Sequence, residues 1–287
     1  MAIVDFHCNG DSNIVARDIL RDSGFSAPEV YLDPALMEQF SLLIKEKTDK
    51  SLCRLPCCHT IEAESMGGLV NYSCDNFGLR MKDPIFDTID HIRPMNFDLE
   101  RLQGTLYACH SLASQGENVL FQVSGPMTIL TGVIRNDVLF RLLRKDTENL
   151  LARLERLSDD LLTLMKMAQN NGASFISYAD PMGSVDILGP KFCQLITERF
   201  TYPLLKKAQE ALDIDIVLCP KTAFELLGCG LAEIEKITLP HEMTYQQALV
   251  NMKGKLGLVG HTCINYAKTI SDMELNTFYS IFRLNLA

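Results

Sequence analysis

The chain is short of positive charge: 27 lysines and arginines stand against 36 aspartates and glutamates in 287 residues, a formal net charge of −9. Such a balance does not neutralise a phosphate backbone, which excludes a nucleic-acid binder. No apolar stretch approaches the ~20 residues of a membrane span, so no membrane partner is expected. No basic segment followed by an apolar core opens the chain, which leaves no signal peptide to assign. Low-complexity tracts and Pro/Gly/Ser linkers are also missing, so residues 1–287 read as a single domain. Without secretion, the ten cysteines read as reduced thiols of a cytoplasmic protein, not as a disulfide framework.

What is present is an ample apolar fraction, 47%, arranged in alternating patterns. Apolar, β-branched-rich runs lie near residues 2–7, 51–57, 118–124, 174–179, 214–219, 234–240, 255–261 and 279–285. Helical patterns separate them. Asp33-Pro34 opens one that runs to about Lys47, with proline in the first turn. Another runs from Asp98 to about Gln115 and stops at Gly116. The segment 136–170 reads as two helices, with Leu150, Leu154, Leu157, Leu161 and Leu164 on one stripe. Residues 191–212, 222–229 and 244–252 complete the set. Eight strands alternating with helices predict an α/β fold of the (β/α)8 TIM-barrel type, all strands parallel. The pattern stops at the eighth strand, so the last helix is expected to be missing and the outer face of that strand to be covered by another element or a second copy of the chain.

Polar residues collect at the ends of these runs. His7, Cys57-Cys58-His59, Cys219, His241, His261 and Cys263 each follow an apolar run. In a parallel sheet those ends share one face, which would gather the nitrogen and sulfur ligands of a zinc or reactive-thiol site. His7 and His59 are candidates for orienting a substrate or acting as general base, since imidazole titrates near neutrality. Glu62 and Glu64, two residues apart, face different sides of a helix, so one can reach the site while the other meets the helix dipole. Gly125-Pro126 suits a tight turn into a helix, and backbone N–H groups there can hold an anionic group. Asp180 ends its strand, where a carboxylate either binds a ligand or caps the next turn.

Three motifs together resemble one superfamily. Glu62-Ala63-Glu64-Ser65-Met66-Gly67, Ser124-Gly125-Pro126-Met127-Thr128, and Asp180-Pro181-Met182-Gly183-Ser184 with Gly189-Pro190-Lys191-Phe192 follow the second, third and fourth strands. Their order and spacing resemble the uroporphyrinogen decarboxylase superfamily, which includes the methylcobamide–coenzyme M methyltransferases. The resemblance implies a barrel and a methyltransferase that moves a methyl group between a corrinoid carried by a partner protein and a small-molecule acceptor, a thiol or a pterin, assisted by zinc. The decarboxylase branch carries an arginine-rich N-terminal segment for substrate carboxylates, whereas here Phe6-His7-Cys8-Asn9-Gly10 has none. The methyltransferase branch holds zinc with a His-x-Cys motif, and here Val217 replaces the histidine before Cys219. The ligands expected to converge are therefore Cys219, His241, and His261 or Cys263, from three consecutive strand ends. A tetrapyrrole decarboxylase and a barrel subunit without chemistry are the rival readings.

Overall fold

A computed structural model describes residues 14–48, 51–72, 79–264 and 278–287. Helices α1 (Ile14–Ser23) and α2 (Pro34–Lys47) lead into strand β1 (Cys53–Leu55) and the short helix α3 (Ile61–Ser65). A hairpin of β2 (Val70–Asn71) and β3 (Arg80–Met81) precedes α4 (Glu100–Ser114) and β4 (Val119–Ser124). Then come α5 (Pro126–Val133), α6 (Asn136–Lys145), α7 (Thr147–Asn170), β5 (Phe175–Ala179), α8 (Val185–Ile196), α9 (Tyr202–Ala211) and β6 (Asp215–Leu218). The chain closes with α10 (Pro220–Gly228), β7 (Ala232–Met243), α11 (Tyr245–Asn251), β8 (Leu258–Val259) and β9 (Phe278–Leu286). The expected first strand, 2–7, lies outside the described residues.

Local chemistry explains the element ends. Asp33 caps α2, its carboxylate accepting Leu36 N–H at 3.0 Å, with Pro34 in the first turn. The stretch 136–170 is two helices, and all five leucines of its stripe are buried against the sheet. The stretch expected as one helix over 191–212 starts earlier, at Val185, and is interrupted. Gly189 adopts φ 71° ahead of Pro190, and a π-helical turn, Thr197–Thr201, joins α8 to α9.

The sheet order is β1-β4-β5-β6-β8-β9-β7. From β1 to β8 the pairing is parallel, so five strand ends face one way. The last two members correct the expectation of eight parallel strands. β9 runs antiparallel to both β8 and β7, and β7 stands at the end of the sheet order, not between β6 and β8. The composition of β7 accounts for this. Glu233, Glu235 and Lys236 are exposed, and a charged, half-solvated strand belongs at an edge, whereas a parallel barrel strand is buried on both faces. With β7 paired along it, β9 presents no open edge. The ribbon and α11 fill the space inside the sheet: Leu239, Met243, Leu249 and Ile281 pack with Leu120, Phe175, Val217 and Val259.

Asp215 pins the start of β6 by accepting Gly254, Leu256 and Gly257 N–H groups at 2.6, 2.9 and 2.7 Å. Asp215→Asn replaces one acceptor oxygen with a donor. It is expected to cost about 1 kcal/mol, read as a lower urea midpoint with an unchanged slope.

Candidate functional site

The parallel strands end at Leu55, Ser124, Ala179, Leu218 and Val259, and polar residues stand at or just beyond these ends. After β1, His59 lies with its Nδ1 3.3 Å from Ser124 Oγ and 3.0 Å from Gln122 Nε2. Ser124 belongs equally to Glu62: its backbone N–H donates to Oε1 at 2.7 Å and its hydroxyl to Oε2 at 3.2 Å. Glu62, His59, Ser124 and Gln122 thus form one hydrogen-bonded chain. Burial raises the Glu62 carboxyl above the ordinary value, against the opposing pull of the Ser124 hydrogen bonds. Burial also lowers His59 to about 4, so its imidazole is neutral at pH 7.

Asp180 and Gly125-Pro126 prove to be one device. Asp180 accepts Met127 N–H at 3.1 Å, Thr128 N–H at 2.7 Å and the Thr128 hydroxyl at 2.7 Å. The chain's own carboxyl therefore caps the N-terminus of α5. Gly125 and Pro126, expected at a cofactor site, lead into this capped end. Gly125 is needed for contact: a Cβ there would lie 2.3 Å from Asp180 Cβ. Burial raises the Asp180 carboxyl, while the helix hydrogen bonds oppose that rise.

Glu64 takes the other side of α3, as its spacing from Glu62 implies. It pairs at 2.5 Å with the buried guanidinium of Arg101 and accepts from Tyr72. Nothing in the sequence singles out Arg101, because a lone arginine in a helical pattern reads as solvated. Gln122 and Ser124 were legible only as strand residues, although their i, i+2 spacing puts them on one face.

These placements match a family at whole-chain scale. The model of the family described as uroporphyrinogen decarboxylase (URO-D) matches residues 13–274. The chain belongs to this family. Twenty-three solved chains match this uroporphyrinogen decarboxylase family member. One is a methyltransferase from Methanosarcina mazei, with a TM-score of 0.62 and 20% identity over 75% of this chain. The match covers 66% of that protein, just under two thirds of its length. The curated proteins contain no match. The shared fold is therefore the TIM-barrel-like α/β architecture of the family.

Of the zinc ligands expected of this family member, His241 stands apart from the others. Cys219 and His261 each stand two residues past the paired Val217 and Val259, and Cys263 follows. His261 is held edge-on by the rings of Tyr245 and Phe282, with centroids 5.4 and 4.7 Å away. His241 is elsewhere: exposed on β7, it lines a groove with Lys45, Ser51, Glu117 and Asn118, residues that precede β1 and β4. The outward displacement of β7 carries it there. Among the described residues no three His, Cys, Asp or Glu side chains group as metal ligands do. The ligand set named from the sequence does not fit a three-ligand zinc centre. His7 lies outside the described residues.

Proposed function

We propose that this chain is a methyltransferase that moves a methyl group between a corrinoid on a partner protein and a small-molecule thiol or pterin. The observation that carries this reading is the charge of the strand-end cluster. It offers a carboxyl, a hydroxyl, an amide and a neutral imidazole. Among the described residues, Arg101 is engaged by Glu64 and Lys221 by Asp186, at 3.0 Å. A polycarboxylate tetrapyrrole needs free guanidinium forks, whereas a neutral thiol or ring N–H needs a base. The fold likeness to a methyltransferase agrees with the proposal.

In such a transfer the acceptor atom bonds to the methyl carbon as the cobalt–carbon bond breaks, and that electron pair stays with cobalt. The acceptor also loses a proton. The His59–Ser124–Glu62 chain can pass it inward, because a buried carboxylate held above its ordinary value is a stronger base than a solvated one. None of these steps is routed through zinc, since His241 stands apart from the other ligands named for it.

The test uses free methylcobalamin with thiol acceptors. Loss of the methylcobalt spectrum should depend on acceptor, and the acceptor should gain one methyl by mass. Glu62→Gln, which keeps the shape and removes the base, should slow the reaction about 100-fold. The family match favours a second reading, decarboxylation of a tetrapyrrole. Carbon dioxide release from a porphyrinogen, with no methyl transfer, would establish that instead.

A further inference from the structure

A second cluster adjoins the strand-end chain, between α2, α4 and the segment after β1, where Cys58 O accepts from Gln122 Nε2 at 3.2 Å. A cavity there is lined by Tyr31, Met37, Pro56, Cys57, Cys58 and Arg101, among others. It leaves about 10 Å³ for the centre of a water-sized molecule, room for a single small guest. Its two adjacent sulfurs are held differently. Cys57 Sγ donates to Arg54 O at 3.3 Å, and burial pushes its thiol up to about 12. Cys58 Sγ receives hydrogen bonds, from Arg101 Nη1 at 3.3 Å and from the Thr60 hydroxyl at 3.4 Å. Arg101 Nη2 also donates to Thr60 Oγ1 at 3.0 Å, which commits the Thr60 proton toward sulfur. Glu64 and Tyr72 fix the guanidinium from behind.

We propose that Cys58 is a peroxide-reactive thiol. The cavity selects the oxidant by size: hydrogen peroxide, two oxygens long, is close to the one-molecule limit, and a small-molecule disulfide is far beyond it. The Cys58 sulfur attacks one peroxide oxygen, so a sulfur–oxygen bond forms as the oxygen–oxygen bond breaks. Sulfur is oxidised to the sulfenic acid and the peroxide is reduced. The departing hydroxide takes up the proton that the Cys58 thiol gives up and leaves as water, and Arg101 stabilises the charge developing on that oxygen. The sulfur chemistry itself uses none of His59, Ser124 or Glu62.

The experiment exposes the reduced full chain to hydrogen peroxide with dimedone present and maps the adduct by fragment-ion mass spectrometry. Cys58 should be labelled at least about tenfold faster than the buried Cys53 and Cys109, which lack a guanidinium donor. Thr60→Val should slow Cys58 labelling about tenfold, with a thermal midpoint lower by only a few degrees because Arg101 Nη2 loses its Thr60 acceptor. Labelling of Cys58 no faster than of Cys109, or unchanged in Thr60→Val, overturns the proposal. If the variant fails to fold, the ranking of cysteines in the unaltered chain decides alone.

Discussion

Gly125→Ala is expected to destabilise this protein by about 3–5 kcal/mol, more than most single methyl additions. The new Cβ would fall 2.3 Å from Asp180 Cβ and 2.6 Å from Asp180 Cγ, separations that no rotamer change at residue 125 can relieve. Either the β4–α5 turn moves or Asp180 does. If Asp180 moves, the Met127 and Thr128 N–H groups lose their acceptor inside the protein, and each buried donor costs about 1–3 kcal/mol. Gly183 closes the carboxylate in from the other side, where an added Cβ would stand 2.5 Å from Asp180 Oδ2. The measurement is chemical denaturation of a double-mutant cycle. Asp180→Gly alone leaves the α5 amides unpaired, but it removes both the Cβ and the carboxyl that the methyl added at position 125 strikes. The double variant should therefore be clearly more stable than the sum of the two single losses predicts. Additive losses would mean that the two residues do not act through this contact.

This device also shows what the sequence could and could not convey. Strand, turn and helix around Ser124-Gly125-Pro126 were legible, because Gly and Pro mark a tight entry into a helix by local rules. The partner was not legible, since Asp180 stands 55 residues further on and comes into contact only through the β4–β5 pairing. The misplacement of His241 has the same origin. Its apolar run looked like every other strand end, and only the exposed charges Glu233, Glu235 and Lys236 hinted that the strand would sit at an edge. Glu62 and Asp180 were legible as polar residues at strand ends. That one terminates a hydrogen-bonded chain and the other caps a helix depends on neighbours 62 and 53 residues away. Arg101 and Glu225, both on helices among ordinary polar residues, gave no local sign of their buried contacts.

Glu225→Gln is expected to stabilise the protein by about 2 kcal/mol at pH 7.5, against the usual direction of a substitution. Burial, reinforced by the nearby Asp180 charge, raises this carboxyl from 4.5 to about 8. The Val185 backbone, the Cys193 thiol and Lys221 pull the other way without overcoming it. Between pH 4.5 and 8 the folded chain keeps a proton that the unfolded chain has released. Stability is then fully present below about pH 4.5, declines as pH rises, and is lost by about pH 8, where the folded form must bury the charge. Glutamine keeps the shape and removes the titration. The two proteins should therefore differ little near pH 4.5 and diverge steadily toward pH 8, and the variant should lose the part of the pH slope that Glu225 supplies. Urea unfolding of both proteins at several pH values from about 4.5 to about 8.5 measures the effect. Parallel stability curves across that range would show that Glu225 titrates alike in the folded and unfolded chains, and would remove it as the source of the slope.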